Sequence, residues 1–174
     1  ILKERKYVII NFLIIIQDTM RITFYDTRIS NDDTVMLVKE RAMNYAIENI
    51  SNPSDAATLI NKVTHLNEMA EEYGYMIALN TKNKPIGIFL ISKGTANYST
   101  MNSREVFLRA LLIGATGIIV FHNHPSKDTF PSESDVSTTK KLVEAGKLIG
   151  IPVMDHIIIG GKDFYSFKSE GIID

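Results

Sequence analysis

The chain has 174 residues with 45% hydrophobic and 22% charged side chains, which suits one folded domain and excludes a wholly disordered or collagen-like chain. Its 19 basic and 20 acidic residues leave a net charge of −1, which gives no support to a general nucleic-acid binder. The absence of cysteine excludes disulfides, iron–sulfur clusters, thiolate zinc sites and a cysteine nucleophile, and it fits a reducing, cytoplasmic setting.

The chain opens at Ile1, as a fragment, a processed form or an ordered segment of a longer product would. Behind Lys3, Arg5 and Lys6, Val8 to Ile16 form a nearly unbroken apolar run. No small-residue cleavage site follows it, and it is about half of the roughly 20 residues that span a bilayer. A buried strand is therefore expected there, and membrane association is not. Arg21–Tyr25 (RITFY) reads as a second strand, so that residues 1–34 form an N-terminal extension of strands. Val35 to Asn49 carries strand and helix signals together. Asn52-Pro53-Ser54-Asp55 starts a helix, and Ala56, Leu59, Ile60, Val63, Leu66, Met69 and Ala70, spaced by threes and fours, carry it to about Glu72.

Tyr75–Leu79 is an expected strand that turns at Lys82-Asn83-Lys84-Pro85 into a second over Ile86–Ser92. Ser103 is the expected cap of a helix with Val106, Phe107, Ala110 and Leu111 on one face. Gly117–Phe121 (GIIVF) is a short continuous apolar run, the mark of a strand covered on both faces. A helix over about Glu133–Leu148 follows, stopped by Gly150 and Pro152. Strand Val153–Ile159, a turn at Gly160-Gly161-Lys162-Asp163 and strand Phe164–Phe167 complete an α/β layered domain with a mixed sheet.

The chemistry concentrates between His122 and Asp135. Residues i and i+2 of an extended chain share a face, so His122 and His124 aim at one point. Two imidazoles suit a borderline ion such as Zn²⁺, and a loop stiffened by Pro125 and Pro131 brings back Asp135 as a third ligand. Two nitrogens and a carboxylate leave a fourth tetrahedral position for water, the open arrangement of a catalytic site. A purely structural account stands beside this one. Ser132-x-x-Asp135 is also a capping-box pattern, which explains both residues without a metal. The joint occurrence of both patterns at the end of a buried strand favours the metal site.

His122-Asn123-His124-Pro125, six residues, Ser132, two residues and Asp135 match the JAMM (MPN+) metalloprotease signature, which adds an upstream Glu. The chain resembles the RadC-like branch of that family from about Val35 to its end. The likeness extends to Ser103–Phe107, Lys141–Lys147 and Met154–Gly160. The resemblance implies a JAMM/MPN-like layered domain over residues 35–174, with a central mixed β-sheet flanked by helices. It implies zinc on His122, His124 and Asp135, with Ser132 helping to stabilise the oxyanion that forms at an attacked carbonyl. The family's general base is a Glu just before the first core strand, and matching Leu79–Asn83 to the family pattern puts it at Glu72, one residue from Glu71. Without the resemblance, Glu72 reads as a solvated helix end. The chain departs from the family pattern at Lys127, usually Gly, at Gly74, usually aromatic or large and apolar, and at Asn102-Ser103, usually His-Pro.

The function this implies is a zinc-dependent hydrolase that cuts a peptide or isopeptide amide of a protein or peptide substrate, using a metal-activated water and Glu72 as base. Two rivals accompany it. One is a DNA-transaction accessory factor, for which Lys140, Lys141 and Lys147 supply only a modest basic face. The other is a scaffold that keeps its metal without turnover. His156 is expected to be a hydrogen-bonded structural residue and His65 a surface residue on a helix, while the Asn97-Tyr98-Ser99 sequon has no meaning in a cytosolic chain. No G-x-S-x-G, H-E-x-x-H, P-loop or dinucleotide motif is present.

Overall fold

Strand alternation sends Ile77, Leu79, Ile119 and Phe121 to one side of a sheet and Met76, Ala78, Ile118 and Val120 to the other, and all eight are buried. The computed structural model describes residues 20–46, 49–94 and 101–173. In chain order its elements are β1 (Met20–Ile29), β2 (Val35–Tyr45), α1 (Pro53–Thr64), a 3-10 turn (Leu66–Glu68), β3 (Tyr73–Leu79), β4 (Pro85–Lys93), α2 (Ser103–Ile113), β5 (Gly117–Asn123), α3 (Glu133–Ile149), β6 (Val153–Gly160) and β7 (Asp163–Ser166). The strands form one mixed sheet in the order β2-β1-β4-β3-β5-β6-β7. Pairing is parallel between β1 and β4 and between β5 and β6, and antiparallel elsewhere. Leu59, Ile60 and Val63 of α1 cover one face; Val106, Phe107 and Ala110 of α2 and Leu142 of α3 cover the other. This is the expected α/β layered architecture.

Within the ambiguous Val35–Asn49 segment, Val35–Tyr45 forms β2, because it pairs along its length with β1. Arg41 fastens this hairpin to the domain: its guanidinium lies 3.8 Å over the Phe24 ring and donates to Val63 O at 3.0 Å, at the end of α1. Both Val8–Ile16 and the Asn97 sequon lie outside the described residues.

Two expectations about helix ends need correcting. Helix α1 stops at Thr64, not near Glu72, because His65 turns left-handed (φ 56°) while its N–H bonds to Asn61 O. The 3-10 turn then tucks Leu66 into the same core, which is why the apolar spacing ran past the helix. His65 is accordingly an exposed cap residue and lies outside the helix. At α2 the cap is Asn102, whose Oδ1 accepts from Arg104 N at 2.9 Å, and Ser103 takes the first helical position.

Gly146 sits where α3 presses against the following loop and the Phe107 ring of α2. A Cβ there would stand 2.6 Å from Ile151 O and 3.3 Å from the Phe107 ring. Gly146→Ala is therefore expected to destabilise the fold by about 1–3 kcal/mol despite the better helix propensity of alanine, since backbone must move. Chemical denaturation checks this; a variant as stable as wild type would mean that α3 can shift freely. Among the described residues no helix is long and apolar enough to cross a membrane.

Candidate metal centre

The alternation that buries β5 also decides where its last residues point. His122 continues the Ile118–Val120 face, beneath α3, and Asn123 continues the Ile119–Phe121 face, beneath α1. The strand ends at Asn123, yet His124 N still bonds to Ile159 O at 2.9 Å, so the extended chain runs one residue further. His124 thereby joins His122, with their Nε2 atoms 3.0 Å apart. The loop then brings the chain to Ser132, the N-cap of α3, and to Asp135 in its first turn. Asp135 Oδ1 lies 3.3 Å from His122 Nε2, and Oδ2 lies 3.6 Å from His124 Nε2. One ligand atom from each of the three residues falls within 4.8 Å of the others.

The capping and metal accounts of Ser132 and Asp135 prove compatible. Asp135 Oδ2 accepts from Ser132 N at 2.8 Å and from Ser132 Oγ at 2.6 Å, and Asp135 N donates to Ser132 Oγ at 3.2 Å, which completes a capping box. The same carboxylate faces both imidazoles, so the cap aims the ligand. Ser132 spends its one hydroxyl proton on Asp135.

Both imidazoles have their outer nitrogens engaged. His124 Nδ1 donates to Asp128 O at 2.6 Å, since a carbonyl only accepts, and in the neutral ring this leaves the Nε2 lone pair facing the cluster. His122 Nδ1 meets His156 Nε2 at 2.8 Å. Burial pushes the Asp135 carboxyl up, but the facing His122 and His124 rings and the hydroxyl bond from Ser132 overcome it and hold the group well below the usual carboxylate range. His124 is raised above the ordinary histidine value, chiefly by the Asp135 carboxylate that faces it, against burial. His156 is pushed well down by burial. An anionic carboxylate and two imidazole nitrogens converging on one point form a donor set that fits Zn²⁺.

The charge of Glu72 is the smallest of the influences that raise His124. Glu72 lies half-buried just before β3, with its carbonyl accepting from Gly94 N at 2.8 Å. Glu71 is turned elsewhere: its Oε2 is 3.3 Å from Tyr73 OH and 3.5 Å from Lys93 Nζ. A cavity of about 180 Å³ on the α1 face, bounded by Ile50, Pro53, Leu79, Ile119 and Met154, includes none of these residues in its lining.

Residues 50–172, which contain the whole cluster, match the family model of the RadC-like JAB domain. The chain belongs to the RadC-like JAB family. A UPF0758 protein of Clostridium beijerinckii is 41% identical over 133 residues, covering 76% of this chain and 57% of its own length. UPF0758 proteins of Alkaliphilus metalliredigens (44% over 124 residues, 71% of this chain and 53% of its own length) and Staphylococcus haemolyticus (42% over 125 residues, 72% and 54%) match similarly. The chain spans about half the length of these curated relatives.

The RadC-like domain contains a site residue that pattern reading missed. Asn123, between the two histidines and almost fully buried, crosses to the other side of β5 and clamps the segment that carries Glu72. Its Oδ1 accepts from Tyr73 N at 2.8 Å, and its Nδ2 donates to Glu71 O at 3.0 Å and Met69 O at 3.3 Å. A polar residue at the end of the apolar Ile119–Phe121 face was the available signal. The family departures also acquire physical content. Gly74 pairs with His122 across β3 and β5, and a Cβ there would meet Ser92 Oγ at 2.5 Å and Met101 Cγ at 3.0 Å, so Met101 and Ser92 occupy the space of a larger side chain. Lys127 adopts a left-handed conformation (φ 68°), and its stem lies along Gly161 in the β6–β7 turn.

Proposed function

We propose that this RadC-like domain is a zinc-dependent hydrolase of peptide or isopeptide amides. The observation that carries the reading is the convergence of His122 Nε2, His124 Nε2 and the Asp135 carboxylate, with both outer ring nitrogens engaged away from the cluster. Lone pairs so arranged repel one another unless a proton or a metal cation sits among them. His122, His124 and Asp135 would hold the zinc, which when bound supplies a Lewis acid that lowers the pKa of water to about 7. Glu72 takes a proton from the attacking water as its oxygen bonds to the carbonyl carbon. The same carboxyl returns the proton to the departing amine nitrogen as the C–N bond breaks. Ser132 orients Asp135, and its hydroxyl proton reaches an oxyanion only by leaving Asp135 Oδ2. The JAMM signature supports amides as the substrate class.

Metal analysis of protein purified without added metal tests the site. About one zinc per chain is expected, lost in the His122→Ala/His124→Ala double variant; a wild-type chain that takes up no zinc when offered it overturns the reading. Glu72→Gln is expected to keep its zinc and lose cleavage of linear peptides and lysine-linked isopeptides followed by mass spectrometry. Undiminished cleavage in that variant would remove Glu72 from the role of base.

A further inference from the structure

His122 can bind a metal through Nε2 only as the tautomer with its proton on Nδ1, and nothing within its own strand enforces that choice. The enforcing groups lie on α3 and β6. Thr139 Oγ1 is 2.7 Å from the backbone carbonyl of Asp135, one helical turn earlier. A carbonyl only accepts, so the single Thr139 hydroxyl proton is committed there. The same Oγ1 is 2.6 Å from His156 Nδ1, and having no second proton it must accept, so His156 carries its proton on Nδ1. His156 stacks on Phe167 at 4.7 Å and is almost fully buried, conditions under which an imidazole keeps one ring proton. Its Nε2 is then a lone pair, 2.8 Å from His122 Nδ1, which must donate to it.

We propose that Thr139 and His156 are positioning residues: their relay holds His122 as the Nδ1–H tautomer and so presents its Nε2 lone pair to His124 and Asp135. The relay is anchored on the carbonyl of Asp135, whose carboxylate faces His122 Nε2 at 3.3 Å, so the circuit leaves one ligand and returns to it. The α3 turn that delivers the carboxylate thus also selects the tautomer of the neighbouring ligand. The tautomer of His122 follows from these hydrogen bonds and the burial of His156 without any metal. Its consequence for zinc rests on the proposed function above.

The test is ¹⁵N spectroscopy of the His122 ring in the full chain, before and after adding zinc, together with the zinc dissociation constant from chelator competition. It is made on wild type, Thr139→Val, which keeps the shape and removes the hydroxyl, and Thr139→Ser, which keeps the hydroxyl. Wild type should show a protonated Nδ1 and a bare Nε2 on His122 before zinc is added. Thr139→Val frees His156 to carry its proton on Nε2 and donate to His122. The Nε2–H form of His122 should then appear, and zinc affinity should fall about 10–100-fold. Thr139→Ser should restore both. A wild-type His122 protonated on Nε2, or a Thr139→Val chain with unchanged tautomer, overturns the relay. A correct tautomer that responds to Thr139→Val in a chain that never takes up zinc leaves the relay standing and defeats the hydrolase reading instead.

Discussion

Asp135→Asn is expected to cost more than about 100-fold in zinc affinity, beyond the effect of losing an outer-sphere partner, while the metal-free fold stays within about 1 kcal/mol of wild type. The two carboxylate oxygens of Asp135 face different neighbours. Oδ2 takes both bonds from Ser132, and an asparagine oxygen in its place keeps them and the start of α3. The amide nitrogen then falls where Oδ1 stands, 3.3 Å from His122 Nε2, and donates a hydrogen bond to the lone pair that a metal needs. The substitution therefore removes the anionic charge and fills the vacated interaction with a proton. Asp135→Ala loses the ligand and the capping box together, which should cost a further ~1 kcal/mol, or roughly 2–4 °C in melting temperature. Zinc per chain and thermal unfolding of the metal-free variants separate the two roles. An asparagine variant that keeps its zinc would mean that Asp135 serves only as a cap.

The second large effect is expected at Asn123, which touches no metal ligand through its side chain. Asn123→Ala leaves Tyr73 N, Glu71 O and Met69 O without their partner, at about 1 kcal/mol or more for each, so a loss of about 3 kcal/mol and roughly 6–12 °C is expected. Asn123→Asp should do no better. It preserves the acceptor for Tyr73 N but sets a carboxylate oxygen against two carbonyl oxygens and buries a charge. His122 and His124 are held by the β5–β6 ladder, including the 2.9 Å bond from His124 N to Ile159 O, so zinc content should be unchanged in Asn123→Ala. Cleavage should fall by about 100-fold, since a displacement of about 1 Å at Glu72 misplaces the base. Amide exchange at Tyr73 reports the clamp directly. Retained protection there, with stability within 1 kcal/mol of wild type, would show that Gly94 and the β3 ladder hold the segment unaided.

Much of the fold was legible because it obeys short-range rules. Asn52-Pro53 opening α1, Gly150 closing α3 and the unbroken apolar run of β5 each depend on residues within a few positions of one another. The convergence of His122 and His124 was legible for the same reason, as a period of two on extended chain. The failures have equally definite causes. The end of α1 was overrun because the 3-10 turn keeps Leu66 on the apolar side after the helix has stopped, and spacing alone does not distinguish the two. The state of β2 depended on its pairing with β1, which no local signal within Val35–Asn49 contains.

Sequence by itself determined which residues could make a metal site and even that Ser132 and Asp135 would form a cap. It left those two readings as competitors. Only the tertiary structure showed that one carboxylate can serve both, because its two oxygens face different neighbours. Only the tertiary structure, too, turned Glu71 toward Lys93 and tied the backbone on either side of Glu72 to Asn123, through bonds that join residues 50 or more positions apart. The relay from Thr139 through His156 to His122 spans two helix and strand boundaries in the same way. A hydrogen bond acts over about 3 Å of space irrespective of chain separation, so the groups that orient a site are visible only once the sheet has brought them together.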